Sequence, residues 1–218
     1  MAKDLLIGKK SSMNTYIMNF FSIDCSTNLG SLFIKTKNKT FSKILQSDKS
    51  SNDLLMKQIL DFFVEKNVKF EDITCIFVNQ GPGNFSGLRG SLATAKGISL
   101  SKKLNLYGYN SFLWSSAKFF KKKIPIFSLI TIREKYFVKK FDKNLKKSFE
   151  VKEITEKEIL KNYADVFKVI PQYATKYCSE KILKLNNLNV VNLDHNELEL
   201  LQLNGLLNEH LIKPLYLS

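Results

Sequence analysis

Arginine is nearly missing from this sequence: Arg89 and Arg133 are the only two among 34 basic side chains. With abundant Asn, Ile and Phe beside the lysines, this is the usage an AT-rich genome imposes. Much of the positive charge therefore follows from composition. Cysteine is equally thin. Cys25, Cys75 and Cys178 are odd in number and far apart, which excludes a disulfide framework and a CxxC redox or metal site and points to a reducing cytosol. The two histidines, His195 and His210, stand fifteen residues apart near the end and read as surface or cap residues. No Ser-His-Asp, Cys-His or metal-ligand constellation can be assembled from this set, so protease chemistry has no candidate. Glycine stops early: eight of nine lie at or before Gly108 and only Gly205 follows. Long apolar runs are also lacking. Ile124 to Ile132 contains Pro125 and Ser128 and falls far short of the ~20 residues a bilayer span needs.

What is present fits an ordinary globular chain. Its 218 residues hold one large domain or two small lobes around a real core. The net charge of +14 invites a nucleic-acid reading, because lysines that neutralise phosphates release counterions. The densest runs, Lys121 to Lys123 and Lys139-Lys140, carry no interleaved arginine or evident aromatic platform, so solvated surface is the simpler expectation. Residues 1–16 read as a leader, disordered or outside the native start, and nothing there resembles an export signal.

From Ile17 the pattern predicts a β-meander of three strands, at Ile17 to Ile23, Ser31 to Lys37 and Thr40 to Leu45. Leu55, Ile59, Phe62 and Phe63 then recur at helical spacing, with Ser51 or Asn52 as cap and an end near Asn67. A strand at Ile73 to Val78, a helix from about Ser86 to Leu104, a strand at Leu106 to Tyr109 and a helix from Ser111 to Phe120 complete a lobe spanning 17–122. A second lobe, 123–218, restarts with strands at Ile124 to Ile130 and Tyr136 to Phe141. Helices follow at Glu156 to Asn162, Tyr173 to Leu185 and Glu197 to Asn208, with short strands at Val166 to Ile170 and Leu188 to Leu193.

The segment from Gly81 to Gly90 carries the clearest signal. Between a strand and a helix, Gly81, Pro82, Gly83, Phe85, Ser86 and Gly87 form a loop of the kind that cradles anions at a helix N-terminus. It fails the P-loop spacing, because Ser86, Gly87 and Leu88 stand where Gly-Lys-Ser or Gly-Lys-Thr is required, and it fails the dinucleotide fingerprint at Ser86. The plain alternative is a tight turn with φ > 0 open to Gly81, Gly83 and Gly87, feeding a helix capped by Ser86. Along that helix Gly90, Ala93, Thr94, Gly97 and Ser101 stack at spacings of three and four, a smooth strip for close packing within the chain or against another subunit.

NQGPGNFSGLRGSLATAKGISLSKKLNLYGYNSF resembles the GPGSFTGLR-type signature of the TsaB (YeaZ) family. FSIDCST at 21–27 is similar to that family's opening strand and turn, and Pro214 to Leu217 to its closing Pro-x-Tyr-Leu. The resemblance implies an α/β, two-lobed actin/Hsp70-like (ASKHA) fold with a degenerate second lobe. It implies a cytoplasmic, non-catalytic part in making threonylcarbamoyladenosine on tRNA. The partners it implies are a TsaD-like transferase that does the chemistry, a TsaE-like ATPase, a second copy of the chain as a homodimer, and tRNA through the complex, with no membrane. ATP and metal are expected on the partner subunits and no cofactor on this chain.

On the same ground the interface is expected at Leu55, Ile59, Phe62, Arg89, Gly90, Ala93, Thr94, Gly97 and Ser101. Asp24, Ser26 and Thr27 become a vestigial phosphate loop, with turn chemistry as the simpler role for them. Catalytic relatives carry a His-x-x-x-His metal pair where this chain has Ser111 and Ser115, which cannot replace imidazoles. Thr131 stands where a second acidic residue would be, and Ser51 where many relatives have His. The leader has no counterpart, making Met13 or Met18 a candidate start. Two rivals stay open at this point: an ASKHA-type ATPase or sugar kinase acting through Asp24, and an RNA-binding module driven by lysine charge.

Overall fold

The computed structural model describes residues 18–45, 51–209 and 212–217, with the side chains of 51–53 left aside. The leader, Met13 and His210 lie outside the described residues, as do the side chains of Ser51 and Asn52 that were expected to cap the first helix.

The first sheet begins with an antiparallel meander of β1 (Phe20–Asp24), β2 (Ser31–Lys35) and β3 (Thr40–Ile44), in which Phe21 faces Ile34 and Ile34 faces Phe41. Helix α1 (Ser51–Glu65) leads to β4 (Cys75–Asn79), which runs parallel to β1. Helix α2 (Phe85–Lys102) leads to β5 (Asn105–Tyr109), parallel to β4. The resulting order is β3-β2-β1-β4-β5. Central β1 and β4 are buried on both faces, which is why FFSID and CIFVN read as nearly unbroken apolar runs.

After α3 (Ser111–Ala117) and a 3₁₀ turn at Phe120–Lys122, the plan repeats. Strands β6 (Ile126–Ile132), β7 (Lys135–Phe141) and β8 (Lys152–Ile154) form a second meander. Helix α4 (Glu156–Asn162) leads to β9 (Lys168–Pro171), parallel to β6. A 3₁₀ turn at Gln172–Tyr177 and α5 (Glu180–Leu183) lead to β10 (Leu188–Val191), parallel to β9, and α6 (Glu197–Leu203) follows. Read from its third strand, the second sheet has the order β8-β7-β6-β9-β10, the same as the first. One topology has been used twice.

Three expectations need correcting. The helix at Tyr173 to Leu185 is broken, because Cys178 and Ser179 are extended and Ser179 starts α5 as its N-cap, its hydroxyl accepting from Ile182 N at 3.4 Å. Strand β8 was not expected, since three residues with only Ile154 buried give no alternation to read. Helix α6 ends at Leu203 and not near Asn208. Gly205 takes φ 63° and donates to Gln202 O while Leu206 N donates to Leu201 O, the paired bonds of a glycine-terminated helix.

The core has two parts. Phe21, Ile34, Phe62, Ile76, Leu92 and Ala95 fill the space beneath α1 and α2. A second cluster passes from Phe20, Phe33 and Phe77 on the other face of the first sheet, through Phe112 and Trp114 of α3, to Leu129, Ile130, Val169 and Leu201. Helix α3 packs on β6, β9 and α6. The chain then returns to its first lobe: Gly108 and Asn208 exchange backbone bonds at 2.8 and 2.9 Å, and Leu215 N donates to Gln80 O at 2.6 Å. Among the described residues no helix is long and apolar enough to cross a membrane.

Candidate functional site

The turn after β1 is held from inside. Asp24 Oδ1 accepts from Ser26 N at 2.9 Å and from Asn79 Nδ2 at 3.0 Å. Asn79 Nδ2 also lies 3.1 Å from both Ser26 Oγ and Ser111 Oγ, while its Oδ1 accepts from Gly81 N at 2.8 Å. Asp24, Ser26, Asn79 and Ser111 are all buried. Burial pushes the Asp24 carboxyl above its ordinary range, opposed by the hydrogen bonds from Ser26 and Asn79. Thr27 spends its hydroxyl on Leu29 O at 2.8 Å. These are bonds of turn chemistry, and all three side chains of the candidate phosphate loop are engaged in them.

The Gly-Pro-Gly loop lies directly on this turn. Asn84 N donates to Ser26 O at 2.7 Å, and a Cβ at Gly83 would sit 1.9 Å from that same oxygen. At Gly87 a Cβ would come within 2.3 Å of Cys25 O. Only Gly81 has a positive φ, 101°, so Gly83 and Gly87 are required for closeness of backbones and not for a left-handed conformation. The cap is Asn84, whose Oδ1 accepts from Gly87 N at 3.1 Å, and not Ser86, which is exposed. Pro82 is buried, and Phe85 projects outward, stacked on Tyr216 at 4.9 Å with Arg89 over its ring at 5.1 Å. The amides of Ser26, Gly81, Asn84 and Gly87 thus donate within the two turns themselves.

In the second lobe the equivalent hairpin is tighter. Ile132 pairs with Lys135 across a turn made only of Arg133 and Glu134, both at positive φ, 49° and 66°. Such a turn has no length to wrap a phosphate. Buried Thr131 donates its hydroxyl to Ala174 O. Ser115 Oγ lies 3.0 Å from Phe112 O and 2.8 Å from Ser128 Oγ. Tyr173, from the 3₁₀ turn, has its hydroxyl raised by burial beside Ser111 and Asp24. Among the described residues no three of His, Cys, Asp and Glu gather where they would hold a metal ion.

His195 overturns its reading as a surface or cap residue. It is only 9% exposed and, from the segment before α6, enters the first sheet, with Nδ1 3.0 Å from Ser22 Oγ and Nε2 3.0 Å from Ser31 Oγ. Its ring stacks on Phe33 at 5.1 Å and meets Trp114 at 4.8 Å. Burial lowers its pKa to about 4, opposed by Asp194. A buried histidine satisfied by two serines more than a hundred and sixty residues away leaves no trace in local pattern.

The helices divide the expected interface residues. Leu55, Ile59 and Phe62 are buried in the core beneath α1 and cannot meet a partner, because the apolar stripe of an amphipathic helix is the part that faces its own sheet. The outward apolar residues of α1 are Leu54, Met56, Leu60 and Val64, the last 80% exposed. On neighbouring α2, Leu88, Ser91, Leu92, Ala95 and Ile98 face inward. Arg89, Ala93, Gly97 and Ser101 are exposed, Gly90 and Thr94 half-buried, and Leu100 is 81% exposed. A Cβ at Gly97 would meet nothing within 4 Å. The small-residue strip is open surface.

A duplicated meander-and-crossover lobe, with its first turn packed against the Gly-Pro-Gly loop in one copy and cut to a two-residue hairpin in the other, defines a two-lobed actin-like α/β protein with a degenerate second lobe. Two Pseudomonas aeruginosa structures share the architecture, one named YeaZ and one described as similar to the peptidase YeaZ. They superpose with TM-scores of 0.66 and 0.68 at 13% identity, covering 92% of this chain and 100% of theirs, a likeness of fold. The family model for TsaD, tRNA N6-adenosine threonylcarbamoyltransferase, matches residues 45–137. The tRNA threonylcarbamoyladenosine biosynthesis protein TsaB of Buchnera aphidicola (subsp. Baizongia pistaciae, strain Bp) is 30% identical over 89 residues, so the match spans 40% of this chain and 40% of that relative. The chain is thus similar in sequence to TsaB over part of its length, to the TsaD family model over residues 45–137, and in fold to the YeaZ structures.

Proposed function

We propose that this chain is a non-catalytic subunit in the threonylcarbamoylation of tRNA adenosine, docking on a TsaD-type transferase through the outward faces of α1 and α2. The observation that carries the reading is a contrast within one lobe. The turns that would hold phosphate are packed against each other, with Gly83 against Ser26 O, while Ala93, Gly97, Leu100, Leu60 and Val64 face solvent. Small residues let another backbone approach closely, and the neighbouring leucines and valine supply apolar area once covered. ATP and metal belong, on this reading, to the transferase and a TsaE-type ATPase, and homodimerisation uses the same face when the transferase is absent. An ATPase acting through Asp24 is disfavoured by that carboxyl's burial and its bonds to Ser26 and Asn79.

The test is capture of a purified TsaD-type transferase by wild type and by Ala93→Trp, with thermal melting to confirm folding. The variant is expected to lose at least about tenfold in affinity, because an indole on the strip holds the two helices apart. Equal capture by both proteins overturns the placement of the interface. ATP hydrolysis by the isolated chain that disappears in Asp24→Ala overturns the non-catalytic reading.

A further inference from the structure

We infer that one end of the second sheet is an RNA-binding face, on which lysines 121–123 and those of the β7 end form a single cationic platform for a sugar–phosphate backbone. The choice of RNA over other polyanions rests on the proposed role in tRNA modification; the platform itself rests on geometry. In sequence the two lysine runs are separated and show no aromatic support. The fold changes both facts. Strand β6 begins three residues after Lys123 and pairs Ile126 with Phe141 and Phe127 with Lys140, and Phe141 bridges to Lys147, so residues 121–123 and 139–147 share one end of the sheet.

These two segments hold eight lysines and one carboxylate, Asp142. Asp142 Oδ1 is tied to the backbone of its own turn, accepting from Asn144 N at 2.8 Å and Lys146 N at 2.9 Å. Lys121, Lys122, Lys123, Lys143, Lys146 and Lys147 are exposed, with Lys139 and Lys140 half-buried. Among the described residues only Lys147 of the eight is in an ion pair, with Glu150. Burial lowers the Lys139 pKa, with the nearby Lys147 adding to the effect and Glu150 opposing it.

Phenyl rings lie under the ammonium groups. Lys122 Nζ is 5.2 Å from the rings of both Phe119 and Phe167, Lys123 Nζ is 3.8 Å from Phe120, and Lys140 Nζ is 5.3 Å from Phe127. Phe119 and Phe167 themselves meet edge to face at 5.1 Å. Charges held over aromatic faces lose less freedom on meeting an anion than charges on free stems. The face therefore suits a run of phosphates. It has no arginine fork for base edges, so its contribution is affinity and orientation without sequence reading.

The isolated full-length chain should bind an unmodified tRNA transcript, read by fluorescence anisotropy between about 50 and 200 mM salt, with log affinity falling by roughly 0.7–0.9 per phosphate contact for each tenfold rise in salt. The triple change Lys121→Gln, Lys122→Gln, Lys123→Gln and the triple change Lys140→Gln, Lys143→Gln, Lys146→Gln should each weaken binding by about tenfold or more and reduce the salt slope by about two. A control triple on the first lobe, Lys37→Gln, Lys39→Gln, Lys66→Gln, should leave both unchanged. No binding by wild type, equal losses in all three triples, or preference for phosphatidylserine vesicles over tRNA would each overturn the proposal. Transferase capture is measured in parallel. The platform triples should capture normally and Ala93→Trp should bind RNA normally, so failure of the RNA face and failure of the docking reading give different results.

Discussion

His195 shows how one side chain carries a constraint between distant parts of the chain. Its two ring nitrogens meet Ser22 and Ser31 of the first sheet, its faces meet Phe33 and Trp114, and Asp194 is the carboxylate beside it. An unfolded imidazole takes up a proton below about pH 6.5, whereas this one resists until about 4. The unfolded state binds the extra proton first, so stability that is full above pH 6.5 is lost as pH falls towards 4, by roughly 3 kcal/mol at most. Asp24, with its raised carboxyl, acts in the opposite sense at the acid end. Comparing wild type with His195→Gln cancels that contribution. Urea unfolding at pH 7 and pH 5 should show wild type losing stability across the interval and the variant losing much less; equal losses would mean that the imidazole is not held neutral. Lys168 is a second buried group with a local task, its ammonium donating to the carbonyls of Tyr163, Ala164 and Val166 where α4 ends.

The elements separate what was legible in the sequence from what was not. Period-two and period-3.6 patterns located the first meander, β6 and β7 of the second, and α1, α2 and α4, because each buries one face against its own sheet. The resemblance, applied to the periodic residues of α1, assigned Leu55, Ile59 and Phe62 to an interface, and the structure buries them. The periodic stripe is what a helix spends on its own core, and a docking surface has to be sought among apolar residues off the stripe, here Met56, Leu60 and Val64. Glycine gave a similar half-answer. The sequence marked Gly83 and Gly87 as turn glycines and Gly97 as part of a packing strip, but only packing distinguishes a glycine against another backbone from one in open space. Gly83→Ala would put a methyl 1.9 Å from Ser26 O and should cost about 1–3 kcal/mol or more. Gly97→Ala, in mid-helix with nothing within 4 Å, should gain about 0.5–1 kcal/mol. Opposite shifts of the urea midpoint are the expected result, and a stabilised Gly83→Ala would show that the two turns are not in contact. The lysine platform was illegible for a different reason: strand register joins its halves, and register is a property of pairing.

At the scale of the whole molecule, the duplicated topology suggests two independent lobes, but the packing argues for one cooperative unit. The larger apolar cluster contains Phe20, Phe33 and Phe77 of the first sheet together with Leu129, Ile130 and Val169 of the second, joined by Phe112 and Trp114 of α3. Polar links run the same way: Lys35 pairs with Glu199 at 2.5 Å, Trp114 Nε1 donates to Asp194 O at 2.8 Å, and the backbone of Asn208 bonds to Gly108. A second lobe cut at residue 123 would expose its side of that cluster and lose α3, which packs on β6, β9 and α6. Calorimetry of the full chain should therefore show a single transition with calorimetric and van't Hoff enthalpies in agreement, and residues 123–218 expressed alone should not melt cooperatively. Two resolved transitions would mean that the lobes move independently. That outcome would also reopen the cleft chemistry, because a nucleotide-driven machine of this architecture needs lobes that rock, whereas a subunit that offers its partner a preformed surface gains from lobes that are locked together.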